Sequence, residues 1–441
     1  MFISWRADGD AAALNPEGAR VSKIVMLGSF EASGLTALGR GPRLKDGSRG
    51  RPTMRRWAAA VLLILFLGPA LAAQTRPPDE VPAPLRDKLT TYLREKGLPP
   101  EEYIASKFRD HDIVFIGEHH FIKHDAELVR DLIPVLYRNG VMDLGIEFGC
   151  FDLQPEADAL VTAEVYDEAR ARRLMFQWGS YWPYVEYLAL YKAAWELNRT
   201  LPAGAPKFRI VGLDYRPRWD LLEEDMTLKL WRKVLFKGSR DKHMADVVMR
   251  EFVKKGRKAL IYAGQYHAST RFAFPVYDFA RGRISGFDAQ TMGQRVHRAI
   301  SVRAFNICLH FPWESTSSPK AYSYPVRGVV DQVMRGFETK RVGFDVKGSP
   351  FGRLPDRESV YSTSRPKFVF EDFCDGYVFS KPFAEYEGCD VDPLFITDEN
   401  LAEAVAYLPN WEIKKKIVTK AQLLYKFKWD ADFRRLYPDL E

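Results

Sequence analysis

The sequence predicts an α/β fold: a largely parallel sheet with helices on both faces, continued by a C-terminal helical extension. Three observations carry that prediction. Short apolar runs end in polar or charged residues, as buried parallel strands do at a sheet rim. The stretches between them repeat apolar residues at helical spacing. The two kinds of segment alternate along the chain, which calls for crossover connections and a shared strand direction.

After a proline-rich leader (Pro77, Pro78, Pro82, Pro84), residues 85–97 read as a short amphipathic helix, so 74–104 form a leader and first helix. DIVFIGE (112–118) is the first strand. The segment that follows sets Leu128, Leu132 and Leu136 on one helical face, and Asn139-Gly140 closes it as a C-cap does. MDLGIEF (142–148) is the second strand, and 153–199 are mostly helical. FRIVGLD (208–214) is the third, with helices over 219–236 and 241–256, and KALIYAG (258–264) is the fourth. VRAFNICLH (302–310), KRVGFDV (340–346) and GYVF (376–379) supply later strands. Residues 310–375, richer in Ser, Pro and Arg, read as an excursion or lid within one domain spanning 105–395. The tail from Glu399 is helical, within a C-terminal segment 396–441, with Trp411 and Trp429 as packing residues.

The net charge of +7 invites a nucleic-acid reading. Its distribution argues against one, because ten of the 65 Lys/Arg and five of the 58 Asp/Glu lie in residues 1–73. The rest is close to neutral, so no nucleic-acid partner is expected. Residues 1–53 are rich in Gly, Ala and Arg without sustained apolar periodicity, and read as a disordered, non-native extension. MRRWAAAVLLILFLGPALAAQ from Met54 has the basic, apolar and small-residue regions of a secretory signal, over 54–73 with cleavage after Ala72 or Ala73. The expected location is therefore periplasmic or secreted, with no stable membrane span after cleavage. In such a compartment Cys150, Cys308, Cys374 and Cys389 are allowed to bridge. Cys374 and Cys389 are the nearest pair in sequence, and the pairing stays open among three connectivities.

Chemistry gathers where ligands bind in open parallel sheets, beyond the carboxyl ends of the strands. The first strand ends in Gly117-Glu118-His119-His120, the second in Glu147, and the third in Asp214. The fourth is followed by Gly264-Gln265-Tyr266-His267. Buried carboxylates need partners or a metal, and several on one rim mark a site. Imidazoles suit proton transfer near neutral pH or metal ligation. Either His119 or His120 faces the crevice, and His124 shares a helical face with His120. Each residue also has a plain structural reading: Asp214 as a helix cap or a partner of Arg216, His267 as a satisfied core histidine. The stripe Trp178, Tyr181, Trp182, Tyr184, Tyr187, Tyr191 and Trp195 reads first as core, and second as a stacking surface for a flat ligand. No GxSxG elbow, P-loop or HExxH occurs, so a serine α/β-hydrolase and a nucleoside triphosphatase are not indicated.

The order GEHH, IEFG with a downstream Gln154, W…YWPYVEY, VGLD and AGQYH resembles ChaN-like proteins. These belong to the superfamily that joins haem-uptake lipoproteins, Tiki-type metal-dependent proteases and erythromycin esterases. The resemblance covers about residues 105–275, with DGYVFSKPFAEYE (375–387) similar to the closing segment of some members. It implies a rim site in which Glu118, His120, Glu147 and His267 match motif positions. The sequence departs from the family in its doubled histidine and in lacking a lipobox cysteine.

Two readings follow. The first is an exported hydrolase acting on an ester or amide of a small-molecule or peptide substrate. Glu118, His119, His120 and His267 are its catalytic residues, and a divalent Mn, Co or Zn ion is held by Glu118, His120, Glu147, Asp214 and His267. The second is a haem or iron-ligand binding protein with a histidine, or a tyrosine such as Tyr266, as an axial ligand. In both, His124, Gln154, Trp178, Trp182, Asp214 and Tyr266 line the ligand. A third, silent member would bind partners through the 310–375 excursion.

Overall fold

The sheet is built from strands whose side chains alternate between two apolar layers. In the computed structural model, residues 80–440 are described, apart from 224–225, 236–237, 279–280, 318–320 and 409–410. The expected extension 1–53 and signal 54–73 lie outside the described residues. No described helix is long and apolar enough to cross a membrane.

The chain opens with helices α1 (Ala83–Lys96) and α2 (Pro100–Lys107), each entered through a proline that presets its first turn. Strand β1 (Ile113–Glu118) leads into α3 (Lys123–Arg138), closed at Asn139 as expected. Strand β2 (Asp143–Cys150) is followed by α4 (Gln154–Val161), α5 (Glu168–Trp178) and α6 (Val185–Thr200). Strand β3 (Arg209–Asp214) precedes α7 (Leu228–Leu235) and α8 (Arg240–Glu251), and β4 (Ala259–Gly264) runs into the single turn α9 (Gln265–Ala268). A hairpin of β5 (Phe274–Asp278) and β6 (Arg283–Asp288) follows, in a stretch where no strand was expected. Then come α10 (Met292–Ile300), β7 (Ala304–Leu309), the short pair β8 (Trp313–Glu314) and β9 (Tyr322–Ser323), and α11 (Val329–Arg335). Strands β10 (Val342–Asp345) and β11 (Gly376–Phe379) end the sheet. The tail carries α12 (Leu401–Ala406), α13 (Trp411–Lys416), α14 (Lys420–Ala431) and α15 (Phe433–Leu436).

Seven strands form the main sheet in the order β10-β11-β7-β1-β4-β2-β3. All its pairings are parallel except β10 with β11. Six strands therefore deliver their carboxyl ends to one rim. Along β1, Val114 and Ile116 enter the layer built with α3–α6, while Ile113 and Phe115 enter the layer built with α8–α10. That two-residue alternation is how one strand serves helices on both faces. An aromatic-rich third cluster fills the β7–β11–β10 end together with α1 and the chain's last residues.

One sequence expectation changes. Trp429 is not packed: it is 42% exposed, with the Arg435 guanidinium over its ring. The side chain of Trp411 lies outside the described residues. All four cysteines are buried free thiols. The thiol near Cys308 is that of Cys374, and burial together with that neighbour pushes the Cys308 thiol up. No bridge joins Cys374 to Cys389.

Candidate active site at the strand ends

The site grows out of two local departures from regular geometry. The first follows β1. Phe121 has φ +71°, a left-handed conformation that a bulky residue adopts only at a cost of about 1–3 kcal/mol. Its surroundings over-determine it. Its amide donates to the Tyr187 hydroxyl (3.1 Å), its carbonyl accepts from Cys389 N (2.9 Å), and its ring meets Trp182 and Tyr184. Just ahead of this turn the two histidines part. His120 turns into the crevice, while His119 pairs with the Tyr437 hydroxyl and stacks on Phe311. Of the two, it is His120 that the structure brings to Glu118 and Glu147.

The second departure is a bulge in β2. Ile146 pairs with Gly212 and Cys150 with Asp214, so β2 spends four residues where β3 spends two. The extra residues fit because Gly149 and Gly212 meet face to face; a Cβ on Gly212 would stand 2.6 Å from Gly149 backbone. Bulges re-aim side chains beside sites, and this one contains Glu147.

Glu118, fully desolvated, accepts from Tyr187 at both oxygens (3.0 and 2.9 Å), from the Tyr262 hydroxyl, and from His120 Nδ1 (2.6 Å). Burial, reinforced by the Glu118 charge, holds both phenols well above their usual range, so they remain donors. His267 Nδ1 donates to Asp241 Oδ1 (2.7 Å), which also accepts from Met292 N (2.6 Å). Each imidazole is thus fixed by a carboxylate at Nδ1, and the Nε2 atoms turn to Glu147. His267 Nε2 is 3.4 Å from Oε1, and His120 Nε2 is 3.9 Å from Oε2. Glu147 also accepts from Gly264 N (2.8 Å) and meets Arg240 (3.4 Å). A Cβ on Gly264 would lie 3.1 Å from the His120 ring, so a glycine is what lets β4 approach this closely.

Burial alone would raise the Glu147 carboxyl, but His267, His120 and Arg240 outweigh it and hold it well below the carboxylate range. Asp241 is lowered against its burial by His267. Arg240 is held charged by Asp214 and Glu147 despite burial.

Asp214 lies one step back from the imidazoles. It accepts from Trp178 Nε1 (2.8 Å), Arg240 Nε (2.7 Å) and Tyr215 N (2.8 Å). Its partner is Arg240 rather than Arg216. Trp178 and Trp182 are both buried, and Trp182 meets His120 edge-on at 4.9 Å between centroids. The Gln154 amide group bonds the β3 backbone at Ile210 and Gly212. The Tyr266 hydroxyl is taken by Asp288. His124 is buried beside Asp125 and Tyr386, outside the strand-end cluster, and both its nitrogens lack a hydrogen bond.

The five residues expected to hold a metal do not form a ligand set. Glu118 spends its oxygens on two phenols and an imidazole, Asp214 faces a guanidinium, and the same guanidinium reaches Glu147. Among the described residues no group of three or more His, Cys, Asp or Glu is arranged around an ion's position. Of the residues expected to contact haem, Trp178 and Trp182 are buried and the Tyr266 hydroxyl is taken by Asp288.

Tyr187, Tyr262, Arg240 and Asp241 belong to the site without having been singled out as its members. Tyr187 stood in the aromatic stripe, Tyr262 inside an apolar strand, and Arg240 and Asp241 at the start of a helix. Ser239 immediately before them caps that helix, and was the available signal.

No family profile and no curated protein matches the chain. Solved structures do. A succinoglycan biosynthesis protein matches at 12% identity and TM-score 0.46, over 68% of this chain and 98% of that one. An erythromycin esterase mutant in its open conformation matches at 14% identity and TM-score 0.42, over 63% and 92%. ChaN of Campylobacter jejuni, described with cofacial haem, matches at 14% identity and TM-score 0.33, over 51% and 91%.

Proposed function

We propose that the chain is an acid–base hydrolase of an ester or amide bond. The observation that carries this reading is the convergence of two carboxylate-anchored imidazoles on one ionised glutamate. A carboxylate at Nδ1 fixes the tautomer and leaves Nε2 as the atom that exchanges protons. The two rings differ in a way that assigns roles. His267 has a carboxylate at both nitrogens, at 2.7 and 3.4 Å, and is suited to hold a proton on each. It is the acid, giving its Nε2 proton to the departing group. His120 stands further from Glu147, at 3.9 Å, and has the more exposed ring (12% against 3%). Between His120 and Glu147 we place the attacking water. His120 Nε2 takes that water's proton, the hydroxide adds to the carbonyl carbon, and Arg240 with Glu147 fixes the local charge. Glu118 and Asp241 are positioning residues. The motif resemblance includes esterases, whose chemistry is of this kind, beside metal-dependent and haem-associated members. The apolar run Met54–Ala73 supports reading the enzyme as exported, to the periplasm or beyond the cell.

A panel of esters, lactones and peptides, assayed with and without Mn²⁺, Co²⁺ or Zn²⁺, tests the reading. The expected result is hydrolysis by the wild type that His120→Ala lowers by about 10²–10⁴-fold. Equal rates for the two proteins on every substrate cleaved contradict it. Hemin is the control: a Soret shift abolished by Tyr266→Phe would favour the binding protein instead.

A further inference from the structure

A second site lies in the excursion between β9 and β11. A cavity of about 650 Å³ is lined by residues 355–357 and 362–369 and by Phe287 of the β5–β6 hairpin. Its size is that of small-molecule pockets generally. The wall is held in shape before any ligand arrives. An isolated bridge between Pro355 and Val369 ties the loop's ends together. Asp356 accepts from Ser359 N (3.1 Å) and its hydroxyl, fixing the turn Val360–Ser364, and Asp372 accepts from Val369 N (3.0 Å) and from Arg365 (2.7 Å).

Cationic side chains outnumber the one carboxylate on this wall, Asp356, which is buried and turned to Ser359. Arg357, Arg365 and Lys367 all line it. Arg365 is neutralised by Asp372, whereas no ion pair engages Arg357 or Lys367 among the described residues. The Ser364 hydroxyl is buried and lacks a hydrogen-bond partner. On the rim Phe287 is 53% exposed, one of few large apolar side chains so open. Two free cations, an unmet hydroxyl and an open aromatic face match an oxyanion attached to a ring. The rim is also joined to the strand-end cluster, since Asp288, next to Phe287, takes the hydroxyl of Tyr266, next to His267.

We infer that this cavity binds a small organic oxyanion, a phosphate or sulfate class ligand carrying a ring that lies on Phe287. Arg357 and Lys367 pair with the oxygens, Ser364 donates to one of them, and the ring covers Phe287. This is a binding site separate from the hydrolytic chemistry and does not depend on it.

Calorimetric titration of the full chain with phenylphosphonate, whose carbon–phosphorus bond resists hydrolysis, tests the inference; inorganic phosphate is the second probe. One saturable site is expected, weakening as salt is raised. The pair Arg357→Ala with Lys367→Ala should weaken both probes at least about tenfold. Phe287→Ala should weaken phenylphosphonate and leave phosphate unchanged. All three side chains are exposed, and thermal unfolding of each variant beside the wild type confirms that the fold is kept. His120→Ala should bind like the wild type, which separates this site from the hydrolase reading. Absence of saturable binding at millimolar phenylphosphonate, or binding unchanged in the double variant, overturns the inference.

Discussion

His120 and His124 stand four residues apart, yet they occupy opposite chemical situations. His120 lies at the strand-end rim, its Nδ1 held by Glu118 and its Nε2 turned to an ionised Glu147. His124 lies under the first turn of α3, in a pocket where neither nitrogen finds a hydrogen bond and Asp125 beside it keeps an unbonded oxygen. Burial, with the charges of Lys381, His310 and Arg341, pulls His124 down to about 3, and burial with Glu118 raises Asp125. In the crevice, charges compensate one another; in the pocket, the groups are driven toward neutrality. What decides whether a buried histidine can do chemistry is the set of partners that the fold supplies, and burial alone does not create it.

The comparison breaks most visibly in rate. Glu147→Gln should lower hydrolysis by about 10²–10⁴-fold, because both imidazoles lose their common partner. Asp241→Asn should also lower kcat, with a displaced pH profile as the sign of a positioning role, while Asp125→Asn should leave rate and profile unchanged. Rates across pH for the three variants make the check, and an Asp125→Asn enzyme as slow as Asp241→Asn would erase the distinction.

The next effect is on stability against pH. A histidine whose folded value falls from 6.5 to about 3 binds no proton where the unfolded chain already does. Its contribution to stability is thus present above 6.5 and is lost as the pH falls toward 3, at up to about 1.4 kcal/mol per unit. His124→Phe should remove that decline in denaturant titrations. Asp125 has the opposite slope, since its raised carboxyl favours the folded state at low pH, so the difference between wild type and variant isolates the imidazole. A slope unchanged in the variant would contradict the buried neutral form.

The smallest effect sharpens the crevice side. Tyr187→Phe strips one donor from Glu118 and the acceptor of Phe121 N, and should cost about 1–3 kcal/mol in thermal unfolding. Tyr103, a fully buried tyrosine elsewhere in the same core layer, bonds Asp345 (2.8 Å), whose side chain is 44% exposed, and Tyr103→Phe should cost less.

The strand ends were legible because burial and charge are contradictory in one dimension. An apolar run that finishes on Glu118, Glu147 or Asp214 has to place that carboxylate at a rim, and parallel strands share the rim. The direction of each side chain was not legible. Which of His119 and His120 enters the crevice goes with tertiary partners far off in sequence, Glu147 for His120 and Tyr437 with Phe311 for His119. The aim of Glu147 depends on a bulge that requires Gly149 to meet Gly212, sixty-odd positions on. Arg240 and Asp241 read as ordinary residues of a helix start, because nothing local says that this turn faces another strand's carboxylate. Gln154 matched a motif and serves the backbone of β3, which shows how far a motif position stands from a role.

The central claim is that His120 and His267 share Glu147. Nitrogen-15 NMR of the imidazoles in the wild type and in Glu147→Gln tests it without a substrate. Protonated Nδ1 in both rings, with the Nε2 resonances of both moving in the variant while His124 stays in place, is the result this account predicts. A substitution that moves only one of the two rings, or neither, would contradict it.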